Sequence, residues 1–231
     1  MTPKQTANAI NSITKIFNST LGSASGLQAS LVGMVASKLY EAKVLAELLN
    51  LLEASGYHFR VVNGAVCLKA APGPINTSYS YIELLQNNVH VANIWTDVEF
   101  VGLSSFYLTG LPQPSARGEY HELDILVCDP NAITRPRSNQ VFIGVEAKHW
   151  AHIPKKLLRE ILGVRRELSF VDFRSGRPSI AVRSLKNLQR SNPASHLVFA
   201  YSTVYPHGSG PVTEWAVPAK EFEIDLWPIS V

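Results

Sequence analysis

Hydrophobic and polar positions divide the chain into a strong helical stretch, a run of strand-like segments, a second helix and a late apolar run. Residues 34–54 combine good helix formers with an absence of Gly and Pro, and Gly56 supplies a stop. Ahead of them, residues 1–33 are rich in Asn, Ser, Thr, Ala and Gly. Ile10, Ile13 and Phe17 recur there at helical spacing, which predicts a short docking helix broken by Gly22 and Gly26. A strand is expected over 58–68, a Pro/Gly loop over 70–76, and a helical turn or two over 82–87. Residues 89–101, 120–128 and 140–148 are rich in β-branched and aromatic residues with turn formers between them, the pattern of consecutive antiparallel strands. Pro154 suits the first turn of a helix running to about Phe170, and residues 197–204 read as a later strand. The order predicts an α/β (α+β) fold: a central mixed β-sheet flanked by helices, with residues 1–33 as an N-terminal appendage to a main domain over 34–231.

Alternation within two of these strands isolates a chemistry. In Glu122-Leu123-Asp124-Ile125-Leu126-Val127 a carboxylate interrupts an apolar strand, and regular alternation sets Asp124 opposite to Leu123, Ile125 and Val127. In the next strand Val141, Ile143, Val145 and Ala147 share one face, leaving Gly144, Glu146 and Lys148 on the other. Two neighbouring carboxylates repel unless a cation lies between them, and Asp and Glu oxygens suit a hard ion such as magnesium. Such an ion polarises a phosphoryl oxygen and acidifies a bound water, while an ammonium orients that water or stabilises the charge growing in the transition state. Glu41 lies mid-stripe in the first long helix, with Val44, Leu45, Leu48 and Leu52 following at i+3, i+4, i+7 and i+11. Its side chain is therefore expected to point inward, where a carboxylate needs a metal, a cation or a proton.

These residues resemble the PD-(D/E)xK nuclease superfamily over about residues 34–205. Asp124 stands for the first acidic residue, Glu146-Ala147-Lys148 for the Glu-x-Lys element, and Leu123 occupies the place of the proline. The resemblance implies a restriction-endonuclease-like core and a metal-dependent endonuclease acting on DNA. Asp124, Glu146 and Glu41 would be ligands of Mg2+ (or Mn2+), and Lys148 the catalytic lysine. Restriction, phage defence, recombination and repair are all settings the superfamily serves, and a homodimer would permit double-strand cutting. Glu41-Ala42-Lys43 also matches acidic-x-Lys, but it falls in a helix, so strand context separates the two matches. Glu122 shares a face with Asp124, and Asp97 and Glu99 share a face on the preceding strand, so these three are alternates for the same site.

Composition adds a direction for the partner. The chain has 231 residues, 46% of them hydrophobic, enough for one sizeable core, and a formal net charge of only +3. That charge is uneven: segments 1–129 and 197–231 are net acidic, whereas 130–196 is strongly basic. A basic block of that kind suits a polyanion, since each neutralised phosphate releases counterions. Lys155, Arg159 and Arg166, opposite the apolar stripe of the second helix, and Arg135 and Arg137, between the two acidic strands, are the expected phosphate contacts. Cys67 and Cys128 lie far apart and form no C-x-x-C pattern, so neither a disulfide framework nor a thiolate zinc site is implied. Absence of a long apolar run or a signal-like N-terminus leads to the expectation of a cytoplasmic protein without membrane contact. His149-Trp150-Ala151-His152 lacks a third nearby ligand, and Gly208-Ser209-Gly210 lacks the lysine of a phosphate-binding loop. Two competing classes are a catalytically inactive nucleic-acid-binding module, with Asp124, Glu146 and Lys148 as a cross-strand ion pair, and an interaction domain using Trp95, Trp150, Trp215 or Trp227.

Overall fold

The computed structural model describes residues 1–22, 31, 34–66, 68–69, 71–105, 117–149, 155–182, 184–185, 189–202 and 212–230. Gly26, Cys67, Trp150, His152, Pro154, residues 203–204, Gly208-Ser209-Gly210 and the side chains of Lys155 and Trp215 lie outside the described residues.

Helices α1 (Pro3–Leu21) and α2 (Ala36–Ala54) precede strands β1 (His58–Val62), β2 (Tyr81–Gln86), β3 (Val89–Val101), β4 (Tyr120–Cys128) and β5 (Val141–Lys148). Then come α3 (Lys155–Leu168), β6 (Phe170–Gly176), β7 (Gln189–Asn192), β8 (His196–Tyr201), α4 (Val212–Glu221) and β9 (Ile224–Pro228). Seven strands form one mixed sheet in the order β1-β2-β3-β4-β5-β8-β9. It is antiparallel as far as β5 and parallel from β5 through β8 to β9, while β6 and β7 pair separately. The fold is thus α+β with a mixed central sheet flanked by helices, as the element order predicts.

Two apolar layers hold the sheet. On one face, Ile13 and Phe17 of α1 and Leu39, Leu45, Leu48 and Leu52 of α2 pack with Ile94, Ile125, Ile143, Val145 and Val198. On the other, Leu157, Ile161 and Leu168 of α3 and Ala219 of α4 pack with Trp95, Phe100, Leu126, Leu197 and Phe199. Helix α1 begins with a capping box between Thr2 and Gln5 and buries Ala9, Ile13 and Phe17 in the same core as α2.

Residues 82–87, expected to turn helically, instead belong to β2 and the turn that follows it. Asn87 and Asn88 both adopt positive φ, 51° and 62°, the conformation of a two-residue turn that matches strand twist, and they fold β2 onto β3. Cross-strand pairing on both sides of β2 overrides the helix-like spacing of Ile82, Leu84 and Leu85.

Candidate metal centre

Four elements bring the acidic residues to one place. In α2, Lys38 and Glu41 sit three residues apart on one helix face, and Lys38 Nζ lies 2.6 Å from Glu41 Oε2. Asp97 comes from β3, Asp124 from β4, and Glu146 and Lys148 from the end of β5. Single ligand atoms of Glu41, Asp97 and Asp124 all lie within 4.8 Å of one another, the spacing of a shared cation.

A matched slip in two strands creates that convergence. In β3, Ile94 packs on the α2 side while Trp95, Val98 and Phe100 pack on the α3 side; in β4, Ile125 and Val127 face α2 while Leu123 and Leu126 face α3. Regular alternation would put residues 95 and 98, or 123 and 126, on opposite faces. Each strand therefore accommodates one extra residue, Asp97 in one and Asp124 in the other, between the paired positions Thr96↔Ile125 and Val98↔Leu123. Asp97 takes it up with a left-handed φ of 50°, a region an aspartate tolerates better than most L-residues. Its carbonyl accepts a hydrogen bond from the Gly73 N–H, and the Glu99 N–H donates to the Gly73 carbonyl, so residue 73 stabilises the distortion from the open side of β3. The regular alternation assumed for Asp124 thus does not hold through this point.

Hydrogen bonds and charge define the chemistry. Lys38 bonds to Asp97 Oδ1 as well as to Glu41. Asp97 is 1% exposed, and its Oδ2 is buried with no hydrogen-bond partner among the described residues. An orphaned carboxylate oxygen inside a protein is costly, and a hard cation satisfies it. Asp124 Oδ2 accepts from the Ala147 N–H at 2.6 Å and lies 3.2 Å from Lys148 Nζ, which in turn lies 2.9 Å from Glu146 Oε2. Lys148 thereby joins the two motif carboxylates. Glu146 itself does not belong to the close group formed by Glu41, Asp97 and Asp124; its described partner is Lys148.

Burial dominates the acid–base balance. It pushes the Glu41 carboxyl up to about 7, against the pull of Lys38 and with the help of the Asp124 and Asp97 charges. Glu146 is held well above the usual carboxylate range by burial and then by Asp124, with Lys148 opposing. Asp97 and Glu122 are also raised, burial first in both cases. For Lys148, burial favours the neutral amine, but Glu146 and Asp124 together outweigh it and hold the ammonium above its ordinary value. Lys38 follows the same logic with Asp97 and Glu41. Ligation of a divalent ion by such carboxylates requires their ionisation and so displaces these protons.

The expected phosphate contacts divide. Arg159 and Arg166 are exposed on α3, and Arg166 borders a hollow lined by Leu162, Phe170, Val171 and Phe222. Arg135 is engaged: its Nε lies 2.8 Å from Glu99 Oε2, and its guanidinium stacks 4.2 Å over the Tyr120 ring. Arg137 is half-buried, with its backbone paired to Val101 and to Gln140. Lys155 is the first residue of α3. Asp97 gains its prominence from the structure alone, because regular alternation gives no reason to prefer it to Glu99. Lys38 is a site residue that sequence reasoning misses, although its i,i+3 spacing from the inward-pointing Glu41 is a legible signal.

Compared with known proteins, the chain matches no family model, no curated protein and no solved structure.

Proposed function

We propose that the chain is a metal-dependent endonuclease of the PD-(D/E)xK type, with a restriction-endonuclease-like core, hydrolysing phosphodiester bonds in DNA. The observation that carries this reading is the convergence of Glu41, Asp97 and Asp124 within 4.8 Å, beside a lysine that contacts both Asp124 and Glu146. Element order supports it: a helix bearing Glu41, antiparallel strands bearing Asp124 and Glu146-x-Lys148, a following helix, and a strand parallel to the last of them.

All the donors are hard oxygens, and one of them lacks a partner among the described residues, which fits Mg2+ or Mn2+ better than zinc or copper. A divalent ion held by Glu41, Asp97 and Asp124 would supply Lewis acidity at the phosphoryl group. Lys148, kept charged by Glu146 and Asp124, is placed to orient the attacking water and to stabilise negative charge in the transition state. Asp124 is fixed by the Ala147 N–H, so Lys148 and the ligand set share one rigid mount. Glu146 holds the lysine ammonium and sits at the edge of the ligand group.

A second reading, a nucleic-acid-binding module whose acidic residues are structural, draws on the pairing of Lys38 and Lys148 with the carboxylates. One experiment separates the two. Wild-type and Lys148→Ala proteins are incubated with supercoiled plasmid, linear duplex and single-stranded DNA in Mg2+, Mn2+ or EDTA. Metal-dependent cutting by wild type alone is the expected result; salt-sensitive binding without cutting under any condition would favour the binding module.

A further inference from the structure

We infer that Lys38 is a built-in cation of the acidic cluster, occupying the position between Glu41 and Asp97 that a second divalent ion would otherwise take, so that the site accepts one divalent ion and not two. The inference rests on the metal-binding reading above and assigns its stoichiometry. Lys38 stands in the first turn of α2, where unpaired backbone N–H groups make a cation unfavourable, and α2 has no acidic residue in that turn and no side-chain cap. Helix stability therefore does not account for a lysine there. Its partners do: the ammonium contacts Glu41 Oε2 and Asp97 Oδ1, two of the three members of the close carboxylate group.

What Lys38 leaves is as informative as what it takes. Of the two Asp97 oxygens, Oδ1 is engaged by Lys38 and Oδ2 is buried without a partner among the described residues. At the other end, Lys148 covers Asp124 Oδ2 and Glu146. The four carboxylates are thus flanked by two ammonium groups. A second ion would have to expel Lys38 from both of its bonds or sit beside its charge, and like charges at such range repel strongly in a partly buried site. Glu122, at the rim of the same group, adds negative charge but has no direct contact with Lys38 among the described residues.

The test counts bound Mn2+ by the electron paramagnetic resonance of the free ion, at equilibrium with the full chain, in wild type, Lys38→Met and Lys38→Arg. Met keeps the length of the stem and removes the charge; Arg keeps the charge. One ion in wild type and in Lys38→Arg, and two in Lys38→Met with the first bound at least tenfold more tightly, is the expected result. One ion in both wild type and Lys38→Met, with affinity equal or weaker in the variant, would overturn the inference while leaving the metal site intact. Two ions in wild type would overturn it as well, and that measurement needs no variant to fold. No binding to wild type would sink the metal-site reading and the inference together. Circular dichroism in EDTA confirms that each variant is folded before ions are counted.

Discussion

Asp97 combines three unusual properties: a left-handed backbone, near-complete burial and a carboxylate oxygen with no partner among the described residues. Asparagine tolerates that backbone and keeps the shape of the side chain, whereas alanine bears the steric cost of the left-handed region, roughly 1–2 kcal/mol. Asp97→Ala is accordingly expected to be less stable than Asp97→Asn by about that amount in metal-free urea denaturation. Both variants should weaken Mn2+ binding, since each removes one of the charged ligands proposed for the ion. Lys148 poses the complementary case, a charge proposed to act in the transition state and not in the ligand set. Lys148→Met is expected to lower the cleavage rate about 10²–10³-fold, the range seen when one preorganised electrostatic group is removed. Mn2+ affinity in that variant should be retained or improved, because a positive neighbour is gone; a large fall in affinity would instead place Lys148 in a structural role.

At the scale of elements, the β4–β5 pair carries Asp124 and the Glu146-x-Lys148 segment, so its packing sets the precision of the site. Gly144 lies where a Cβ would come within 2.9 Å and 3.1 Å of the two methyl groups of the fully buried Leu123, the residue before Asp124. Gly144→Ala is expected to cost about 1–3 kcal/mol by overpacking, measured by urea denaturation, and to reduce cleavage through the displaced neighbour of Asp124. Much at this scale is legible in the sequence. Helix α2 and strands β3, β4 and β5 announce themselves through propensity and periodicity, and strand context separates Glu146-x-Lys148 from the helical match at Glu41. Strand β2 is not legible, because Ile82, Leu84 and Leu85 fit a helix as well as a strand until the Asn87-Asn88 turn is recognised for the hairpin it makes. Nor is the part played by Asp97: the slip that brings it beside Asp124 exists only when the two strands face each other, and no single-strand pattern contains it. Strands β6 and β9 and helix α4 mix charged and apolar residues without a clean period, and β7, Gln-Arg-Ser-Asn, has no apolar residue at all.

Taken over the whole molecule, the basic block of residues 130–196 is less available than its formal charge implies. Arg165 is buried, its guanidinium donating to the Ser195 carbonyl at 3.0 Å and to Ser195 Oγ at 3.2 Å; Arg190 pairs with Glu221 and Glu223, and Arg135 with Glu99. Arg165→Ala would leave the buried Ser195 carbonyl without this donor, at a cost of about 1–3 kcal/mol. For a chain of this size that corresponds to a fall in Tm of about 2–4 °C per kcal/mol, readable by calorimetry. Arg159 and Arg166, exposed on α3, are the proposed polyanion contacts that stay accessible, and Arg177 is exposed as well among the described residues. Replacing Arg159 and Arg166 by Ala should flatten the dependence of log affinity for duplex DNA on log salt by about 0.9 for each phosphate no longer neutralised, without changing the Mn2+ stoichiometry. An unchanged slope would move the DNA-binding face away from α3.

The spread of the cluster along the chain has a consequence for how the protein is born. Glu41 leaves the ribosome roughly a hundred residues before Lys148, an interval of about 5–20 s at ordinary rates of synthesis. Helix α2 can form early from local contacts, but Asp97, Asp124 and Lys148 join it only after β3, β4 and β5 have been made and paired. The carboxylate group therefore takes shape late, and a nascent or prematurely terminated chain that stops short of β5 lacks the ammonium at residue 148. In such a fragment the cutting proposed for the finished protein is withheld by the order of translation, with no inhibitor needed.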